Sequence, residues 1–311
     1  MSGRCIQGLQ SVAGQACGGV LVIGNFDGVH LGHQRLLREA GELARPSRLP
    51  VVALTFEPPP DRVTHPQDRP ERITPADEKC RLLLDGGADY VVVLTADREL
   101  LSKTPEQFID EVLRDRLGPR FIVEGEDFRF GRHRAGDVHT LRRAGFEVRI
   151  AQPVVLELDN APKRVSSTLV RDLLRSGAVE QAARCLGRPF VLYGTVVGGH
   201  GRGRLLEFPT ANVGGGEQIC PADGVYAGRA AVAGIDCPAA ISIGVKPTFG
   251  PSERTVEAFL LDAEGDFYHK PAALSFLRYL RPQETFETAA ALKDQIAKDV
   301  QRVRELTSAS A

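Results

Sequence analysis

One stretch decides the fold of the first half of this chain: Val20-Leu21-Val22-Ile23-Gly24-Asn25-Phe26-Asp27-Gly28-Val29-His30-Leu31-Gly32-His33. Its apolar start predicts a buried strand, and the turn after it leads into a predicted helix over 32–44. Glycines let backbone amides approach anionic oxygens, and a helix start carries partial positive charge. His30 and His33, three residues apart, share a helix face and can point at one phosphate. The stretch predicts a nucleotide-phosphate site; the alternative is a structural turn with two incidental histidines.

Strand-like and helix-like segments alternate around this stretch. Strands are predicted over 20–23, 51–56, 90–94, 121–123 and 148–150, and helices over 32–44, 75–84, 105–117 and about 138–144. Two of these helices are predicted to begin at Thr74-Pro75 and Thr104-Pro105, with threonine as the cap and proline in the first helical position. The alternation predicts an α/β fold with a mostly parallel sheet, in which ligands bind at the carboxyl ends of the strands.

The predicted secondary structure changes near residue 187. Helices are predicted over 166–176 and 179–186, and Gly187-Arg188-Pro189 then breaks the pattern, so we predict domains over 1–187 and 188–311. Short strand-like pieces follow, over 191–197, 224–232, 240–243, 256–261 and 273–280. Their spacing favours a small antiparallel barrel or sandwich. The last segment, 284–306, has apolar residues at helical spacing that indicate a packing face.

Composition excludes several classes of function. The formal net charge is -1, so no global basic field favours nucleic acid as a partner. No apolar run approaches the ~20 residues of a membrane span, and the first residues lack the pattern of a signal peptide. The six cysteines are scattered without a C-x-x-C pair, which signals neither a zinc site nor a disulfide framework. We therefore expect a cytoplasmic protein without membrane or nucleic-acid partners.

A second hydroxyl-rich motif, Ser166-Ser167-Thr168 followed by Arg171, has two interpretations. The hydroxyls could simply cap a helix. Alternatively, Arg171 lies one turn further on a matching face, so hydroxyls and guanidinium together could grip the outer phosphates of a nucleotide. The upstream His-x-Gly-His pattern favours the second interpretation.

The second half contains Pro209-Thr210-Ala211-Asn212 and, later, Glu257. Thr210 and Asn212 offer hard oxygen ligands suited to Mg²⁺, but the same four residues could be a loop end with a local turn bond at Asn212. Glu257 lies in an apolar strand context. It is either a carboxylate with a chemical role or a residue that strand alternation places on the solvent face.

Several motifs together resemble one family. The segments 24–33 and 165–171 are similar to the two nucleotide motifs of the nucleotidylyltransferase superfamily. Further segments resemble the FMN adenylyltransferase module of bacterial FAD synthetases: 55–58, 74–79 and 125–131. In the second half, 203–212, 221–227, 243–248 and 256–262 resemble riboflavin kinase motifs in the family's order. The chain thus resembles the bifunctional riboflavin kinase/FAD synthetase family over nearly its whole length.

This resemblance implies a Rossmann-like nucleotidylyltransferase domain, followed by a small antiparallel β-barrel domain of the riboflavin kinase type with a C-terminal helix. It implies that riboflavin is phosphorylated to FMN and FMN is adenylylated to FAD, with ATP as co-substrate and Mg²⁺ as metal. The implied catalytic residues are Glu257, His30, His33 and Arg171. The implied substrate-binding residues are Gly24, Asn25, Phe26, Asp27, Gly28, Asp127, Ser166, Ser167, Thr168, Pro209, Thr210 and Asn212. The implied metal ligands are Thr210 and Asn212.

The chain departs from the family's pattern at Pro59, Glu207, Ser242 and His269, where the family usually has histidine, glycine, asparagine and glycine. A carboxylate at Glu207 would repel a triphosphate unless it is paired or points away. Glu207 and Ser242 therefore leave open an FMN adenylyltransferase with an impaired kinase half. Two further alternatives are a flavin- or nucleotide-binding protein without turnover and a nucleotidylyltransferase for another phosphorylated substrate. Self-association is left open as well.

Overall fold

The structure is a computed structural model that describes residues 4–12, 14–67, 70–198, 210–245 and 254–308. The chain divides into two compact units, Met1–Ser167 and Thr168–Ala311, and each is described by itself. This division lies upstream of the predicted boundary between 187 and 188, because the helices between the two positions group with the second unit. The predicted boundary remains a prediction about the functional domains.

The described part of the first unit is built from ten strands and six α-helices, with four short 3₁₀ helices between them. The strands are β1 (Arg4–Gln7), β2 (Val20–Ile23), β3 (Val51–Glu57), β4 (Tyr90–Thr95), β5 (Phe121–Gly125), β6 (Arg129–Phe130), β7 (Gly136–Asp137), β8 (Glu147–Ala151), β9 (Val155–Leu158) and β10 (Ala161–Arg164). The helices are α1 (Leu31–Ala44), α2 (Pro60–Thr64), α3 (Ala76–Asp85), α4 (Arg98–Ser102), α5 (Pro105–Phe108, continuing as a π-helix over Ile109–Leu117) and α6 (Val138–Arg143).

Six strands form one parallel sheet in the order β1-β4-β3-β2-β5-β8. Apolar side chains of the strands pack into separate cores on its two faces, as expected for a sheet covered by helices on both sides. From β2 the chain builds outward to β3 and β4 on one side, and β5 and β8 lie on the other. The order therefore reverses between β2 and β5, which is where open sheets of this kind bind ligands.

Most predicted elements of this unit are present, with ends that differ by one or two residues. The predicted cap at Thr104 is confirmed: its side chain accepts a hydrogen bond from the Gln107 amide, and Pro105 occupies the first turn. The predicted cap at Thr74 is wrong: α3 begins at Ala76, Pro75 occupies the cap position, and no described side chain caps this helix. The edge strand β1 and the antiparallel hairpins β6–β7 and β9–β10 were not predicted.

The second unit contains a closed antiparallel barrel and a C-terminal helix. Its helices are α7 (Ser167–Arg175, whose first residue belongs to the first unit), α8 (Val179–Leu186) and α9 (Ala289–Ser308). Its strands are β11 (Phe190–Val197), β12 (Thr210–Gly214), β13 (Gly224–Val232), β14 (Ile235–Val245), β15 (Arg254–Leu260) and β16 (Pro271–Arg281). The barrel order is β11-β12-β15-β14-β13-β16. The structure thus confirms an α/β unit followed by a small antiparallel barrel with a C-terminal helix.

Along the described ranges, no helix combines the length and apolar character needed to cross a membrane.

Candidate active sites

The loop after β2 has a strained backbone. Phe26 and Val29 have positive φ angles of 51° and 41°, and Gly28 between them has a φ of 85°. A left-handed conformation is rare for non-glycine residues, especially a β-branched one such as Val29, and clusters at functional sites. Phe26 is completely buried and anchors the loop in the core. The unfavourable backbone angles thus cost conformational energy, and they fix the path of the chain between β2 and α1.

His30 and His33 are stacked at the start of α1. His30 is the cap of this helix rather than part of it, with an extended backbone, and its Nδ1 accepts a hydrogen bond from the Gly32 amide at 3.1 Å. The two ring centroids are 3.7 Å apart with an interplanar angle of 21°. The prediction that the two rings lie side by side is confirmed. The reason given for it was wrong, because His30 is the cap of α1 and does not share a helix face with His33.

The surroundings of the His33 ring disfavour its charged form. Burial lowers the pKa of His33 well below its ordinary value, and the charges of His30 and Lys79 add to the effect. Its Nδ1 is buried and has no hydrogen-bond partner among the described residues. A buried nitrogen without a partner is costly, because such groups are almost always satisfied in folded proteins. The atom therefore points to a ligand that is bound during function.

Two buried charged side chains, Asp27 and Lys79, lie near the histidine pair. The Asp27 carboxylate, 8% exposed, accepts hydrogen bonds from the amides of Ile73 and Thr74 at 3.0–3.1 Å. Lys79 is 3% exposed and donates to the Phe56 carbonyl at 3.0 Å. Burial lowers the pKa of Lys79, while neighbouring carboxylates oppose that shift. The Asp27 bonds fasten the segment before α3 to the loop after β2, and the Lys79 bond fastens α3 itself to β3.

A cavity of about 1170 Å³ opens at the carboxyl ends of β2 and β5. The predicted site residues that line it are Gly24, Asn25, Phe26, His30, His33, Asp127, Ser166 and Ser167. The Ser167 hydroxyl also donates to the Asp27 carbonyl at 2.8 Å, which ties the second nucleotide motif to the first. Of the described residues predicted for this site, Asp27 and Gly28 lie in the same loop but outside the cavity lining. The structure thus brings most of the predicted residues of the first unit together.

The cavity also has basic and aromatic walls that the sequence reasoning missed. The lining guanidinium groups belong to Arg129, Arg132, Arg134 and Arg164. The Arg164 guanidinium bonds the Asp127 carboxylate at 2.7 Å and lowers the pKa of that carboxyl. The lining phenylalanines are Phe56, Phe108, Phe128 and Phe130. The run Arg132-His133-Arg134, just after the quoted motif at 125–131, was the available signal for the basic wall.

One acidic side chain, Glu124, is buried in this wall at 2% exposure. Its Oε1 accepts a hydrogen bond from the Ile23 amide at 2.5 Å. Burial raises the pKa of Glu124 well above its ordinary value, and the hydrogen bond from Ile23 opposes part of that rise. The neutral form is therefore favoured, which limits the negative charge next to the loop after β2.

The candidate residues of the second unit form a row across three strands. Asn212 of β12 pairs with Glu257 of β15, which pairs with Ser242 of β14. Directly paired residues of antiparallel strands have side chains on the same face. Val256 and Ala258 are buried inside the barrel, so Glu257 lies on its outer face and is half-buried. Thr210, two residues before Asn212, lies on that same face.

Other residues of this region have defined places. The Ser242 hydroxyl accepts a hydrogen bond from the Gln283 amide group at 2.8 Å. Asn212 lies inside a strand, so the loop-end alternative does not hold for it. Thr168 and Arg171 follow Ser167 on α7 and belong to the second unit. Pro209 and Glu207 lie outside the described residues.

These two units define a class of protein in which an α/β domain with a parallel sheet is followed by a closed antiparallel barrel that carries oxygen-bearing side chains on its outer face. The family model described as "FAD synthetase" matches residues 13–169, and the one described as "Riboflavin kinase" matches 186–307. The chain belongs to the bifunctional riboflavin kinase/FMN adenylyltransferase family.

Individual relatives agree over the full length of the chain. It is 37% identical over 303 residues to the bifunctional riboflavin kinase/FMN adenylyltransferase of Escherichia coli (strain K12), covering 97% of this chain and 96% of the relative. The protein of the same name from Pseudomonas fluorescens is 37% identical and covers 99% of each. A crystal structure described as a macrolide-efflux protein from Streptococcus pneumoniae has a TM-score of 0.86 and 29% identity, covering 98% of this chain and 99% of that one. The fold and the order of the two units are therefore shared with solved and curated proteins.

Proposed function

We propose that the chain carries out its family's two reactions at two separate sites, one in each unit. The protein is a transferase that phosphorylates riboflavin to FMN with ATP and adenylylates FMN with a second ATP to give FAD and pyrophosphate. The observation that supports the assignment of the adenylyl site is the stacked His30–His33 pair at the mouth of β2, with the buried and unpartnered Nδ1 of His33. That pair lies beside a cavity with room for a nucleotide.

In the adenylyl step, the FMN phosphate attacks the α-phosphorus of ATP and pyrophosphate leaves. A phosphate monoester has a second pKa of ~6 and is already ionised near neutral pH, so no general base is needed. The protein acts by positioning and by stabilising charge. His30 and His33 donate hydrogen bonds to phosphate oxygens, and the backbone amide of Asn25, next to Gly24 in the cavity lining, adds a further donor.

The flavin ring of FMN has a fitting surface in the same cavity. Phe128 and Phe130 have ring centroids 5.6 Å apart, and Phe56 and Phe108 line the same cavity. An aromatic, apolar wall suits a flat tricyclic ring, because stacking and burial of apolar area both favour it. The arginines of 129–134 then face the phosphates, which are the charged part of each substrate.

The remaining predicted residues of this site differ in whether they line the cavity. Ser166, Ser167 and Asp127 line the cavity and are proposed as substrate contacts. Asp27 and Gly28 are proposed to shape the loop, since the Asp27 carboxylate is bonded to the backbone of 73–74. The contributions of Thr168 and Arg171 to nucleotide binding remain predictions from the second motif.

In the kinase step, the ribityl hydroxyl of riboflavin attacks the γ-phosphorus of ATP. An alcohol is a weak nucleophile, so we assign Glu257 as the carboxylate that accepts its proton. Thr210 and Asn212 present oxygen donors on the same outer face, which is the donor set that Mg²⁺ prefers. When bound there, Mg²⁺ would neutralise phosphate charge. Pro209 completes the proposed motif.

The proposal has finer parts as well. Mg²⁺ as the metal and a cytoplasmic setting are included in it, and no role is assigned to nucleic acid. The boundary between 187 and 188 is proposed as the division between the two activities, and it lies next to the start of the second matched family segment, 186–307.

The test supplies riboflavin or FMN separately, each with ATP and Mg²⁺, and separates the flavins by chromatography. We expect riboflavin to give FMN and then FAD, with ADP and pyrophosphate both released, and FMN to give FAD with pyrophosphate alone. FAD from FMN but no FMN from riboflavin would indicate an impaired kinase half. Binding of both substrates without either product would contradict the proposed function.

A further inference from the structure

Two cysteines far apart in sequence meet at the edge of the first sheet. The Sγ atoms of Cys5 and Cys80 are 2.9 Å apart, although 75 positions separate the residues. Cys5 lies on β1, the edge strand, and is exposed, whereas Cys80 is half-buried on α3. Each of the six cysteines is a free thiol, and Cys5 and Cys80 are the pair whose sulfurs touch.

The chemistry of the pair gives the two thiols different roles. Burial raises the pKa of Cys80 to about 12, and the contact with Cys5 adds to the rise. The thiolate is the reactive form of cysteine, so the exposed Cys5 is the better first nucleophile. Cys80 lies in contact with it and is placed to act second. Bond formation requires the sulfurs to close by about 0.9 Å, from contact to the ~2.05 Å of a disulfide.

We propose that Cys5 and Cys80 form an intrachain disulfide when the protein meets a mild oxidant such as hydrogen peroxide. The Cys5 thiolate attacks one peroxide oxygen, the O–O bond breaks, and the leaving hydroxide takes a proton to become water. Cys5 is then a sulfenic acid. The Cys80 sulfur attacks the Cys5 sulfur, the S–O bond breaks, and a second water leaves. Two thiols are oxidised by two electrons while one peroxide is reduced to two waters.

The position of this bond in the fold should let it stabilise the first unit without blocking the cavity, and we call such a bond a latch. Cys80 is adjacent to Lys79, whose amine is bonded to the Phe56 carbonyl, and α3 begins just after the Ile73 and Thr74 amides that hold Asp27. A covalent bond would hold α3 to the edge strand, and neither cysteine lines the cavity. A cross-link closing a long loop stabilises chiefly by restricting the unfolded chain. Oxidation should therefore stabilise the adenylyl site without blocking it.

The experiment treats the purified full chain with a small molar excess of hydrogen peroxide and quenches with a thiol-blocking reagent. We expect a mass loss of two hydrogens and a peptide joining residues 5 and 80 in a non-reducing digest. Cys5→Ser and Cys80→Ser should each abolish that peptide, and the matched control Cys17→Ser should retain it. A different cross-linked pair, or two unlinked thiols at 5 and 80 after oxidation, would overturn the proposal.

A second readout distinguishes a latch from incidental oxidation. The melting temperature of the oxidised chain should be about 5 °C above that of the reduced chain, and dithiothreitol should reverse the rise. FAD formation from FMN should change by less than about twofold. A disulfide at 5–80 that leaves the melting temperature unchanged, or that abolishes FAD formation, would contradict the stabilising role.

Discussion

The candidate sites of the two units differ most in how far their reactive groups are removed from water. In the first unit, His30 is 6% exposed and stacks on His33, whose Nδ1 is buried. In the second unit, Glu257 and Asn212 lie on the outer face of a barrel and are half-buried. One site has a stacked histidine pair that begins at the cap of α1, and the other has oxygen groups along paired strands.

This difference follows from the two nucleophiles. A phosphate arrives already ionised, so the adenylyl site needs fixed donors in a dry environment, where they are most effective. A hydroxyl must lose a proton, so the kinase site needs a side chain that can accept that proton. The contrast suggests a rule: the burial of a site's polar groups depends on whether the substrate's nucleophile arrives already ionised or must first lose a proton.

The largest effect should come from removing the proposed base. Glu257→Gln should lower FMN formation from riboflavin by about 10³-fold, because the amide cannot accept the hydroxyl proton. FAD formation from supplied FMN should be unchanged. Chromatography of the two half-reactions measures both, with Glu264→Gln, an exposed carboxylate in the same unit, as the control. A retained kinase rate would remove Glu257 from this role.

The histidine pair should show the opposite selectivity. His33→Ala should lower FAD formation by ~10²-fold, the scale expected when one preorganised donor is lost. FMN formation should persist, since it belongs to the other unit. His139→Ala, an exposed histidine on α6, provides the control. Equal loss of both products in a folded variant would show that the sites are not separable.

A smaller effect is expected at Asp27, which supports the adenylyl site from outside the cavity. Asp27→Asn replaces a charged acceptor by a neutral one for the Ile73 and Thr74 amides. The weaker bonds should reduce kcat/KM for FAD formation about tenfold. Steady-state kinetics with varied ATP measures the change. An unaltered value would mean that this anchor does not position the loop.

The smallest effect concerns stability and pH at Glu124. Its pKa is raised on folding by burial, so the native state binds the proton more tightly. Stability therefore falls as pH rises above the ~4.3 of an unfolded glutamate. Glu124→Gln keeps an acceptor for Ile23 and cannot ionise, so it should melt about 2–4 °C higher than the parent near pH 8. The difference should vanish near pH 4.5; a difference independent of pH would exclude ionisation as its cause.

The parts of the fold that local sequence controls were predictable. The bounds Val20–Ile23 and Val179–Leu186 match, because apolar period and helix punctuation are local signals. The cap at Thr104 matches for the same reason. The prediction at Thr74 failed because α3 begins one residue later, with Pro75 in the cap position, and the Thr74 amide is bonded instead to Asp27, 47 positions away. The short edge strand Arg4–Gln7 carries too few residues for a periodic signal.

The site divides along the same line. The histidine motif is contiguous, so the sequence alone predicts its place at the end of β2. The basic wall at 129–134 depends on the β6–β7 hairpin, and the buried position of Glu124 depends on the neighbouring β2. The row of Asn212, Glu257 and Ser242 depends on strand register across the barrel. Long-range pairing has no local pattern, so the buried position of Glu124 and the row across the barrel emerged only from the structure, whereas the basic run Arg132-His133-Arg134 was a local signal for the basic wall.

Mixing the two inactive variants tests the separation of the sites most directly. His33→Ala and Glu257→Gln are each incubated with riboflavin, ATP and Mg²⁺, alone and together, and FAD is measured. Two independent sites predict that neither variant alone forms FAD at more than about 1% of the parental rate, and that the mixture does so readily, because FMN released by one is consumed by the other. A mixture that forms no more FAD than the separate variants would contradict the existence of two independent sites.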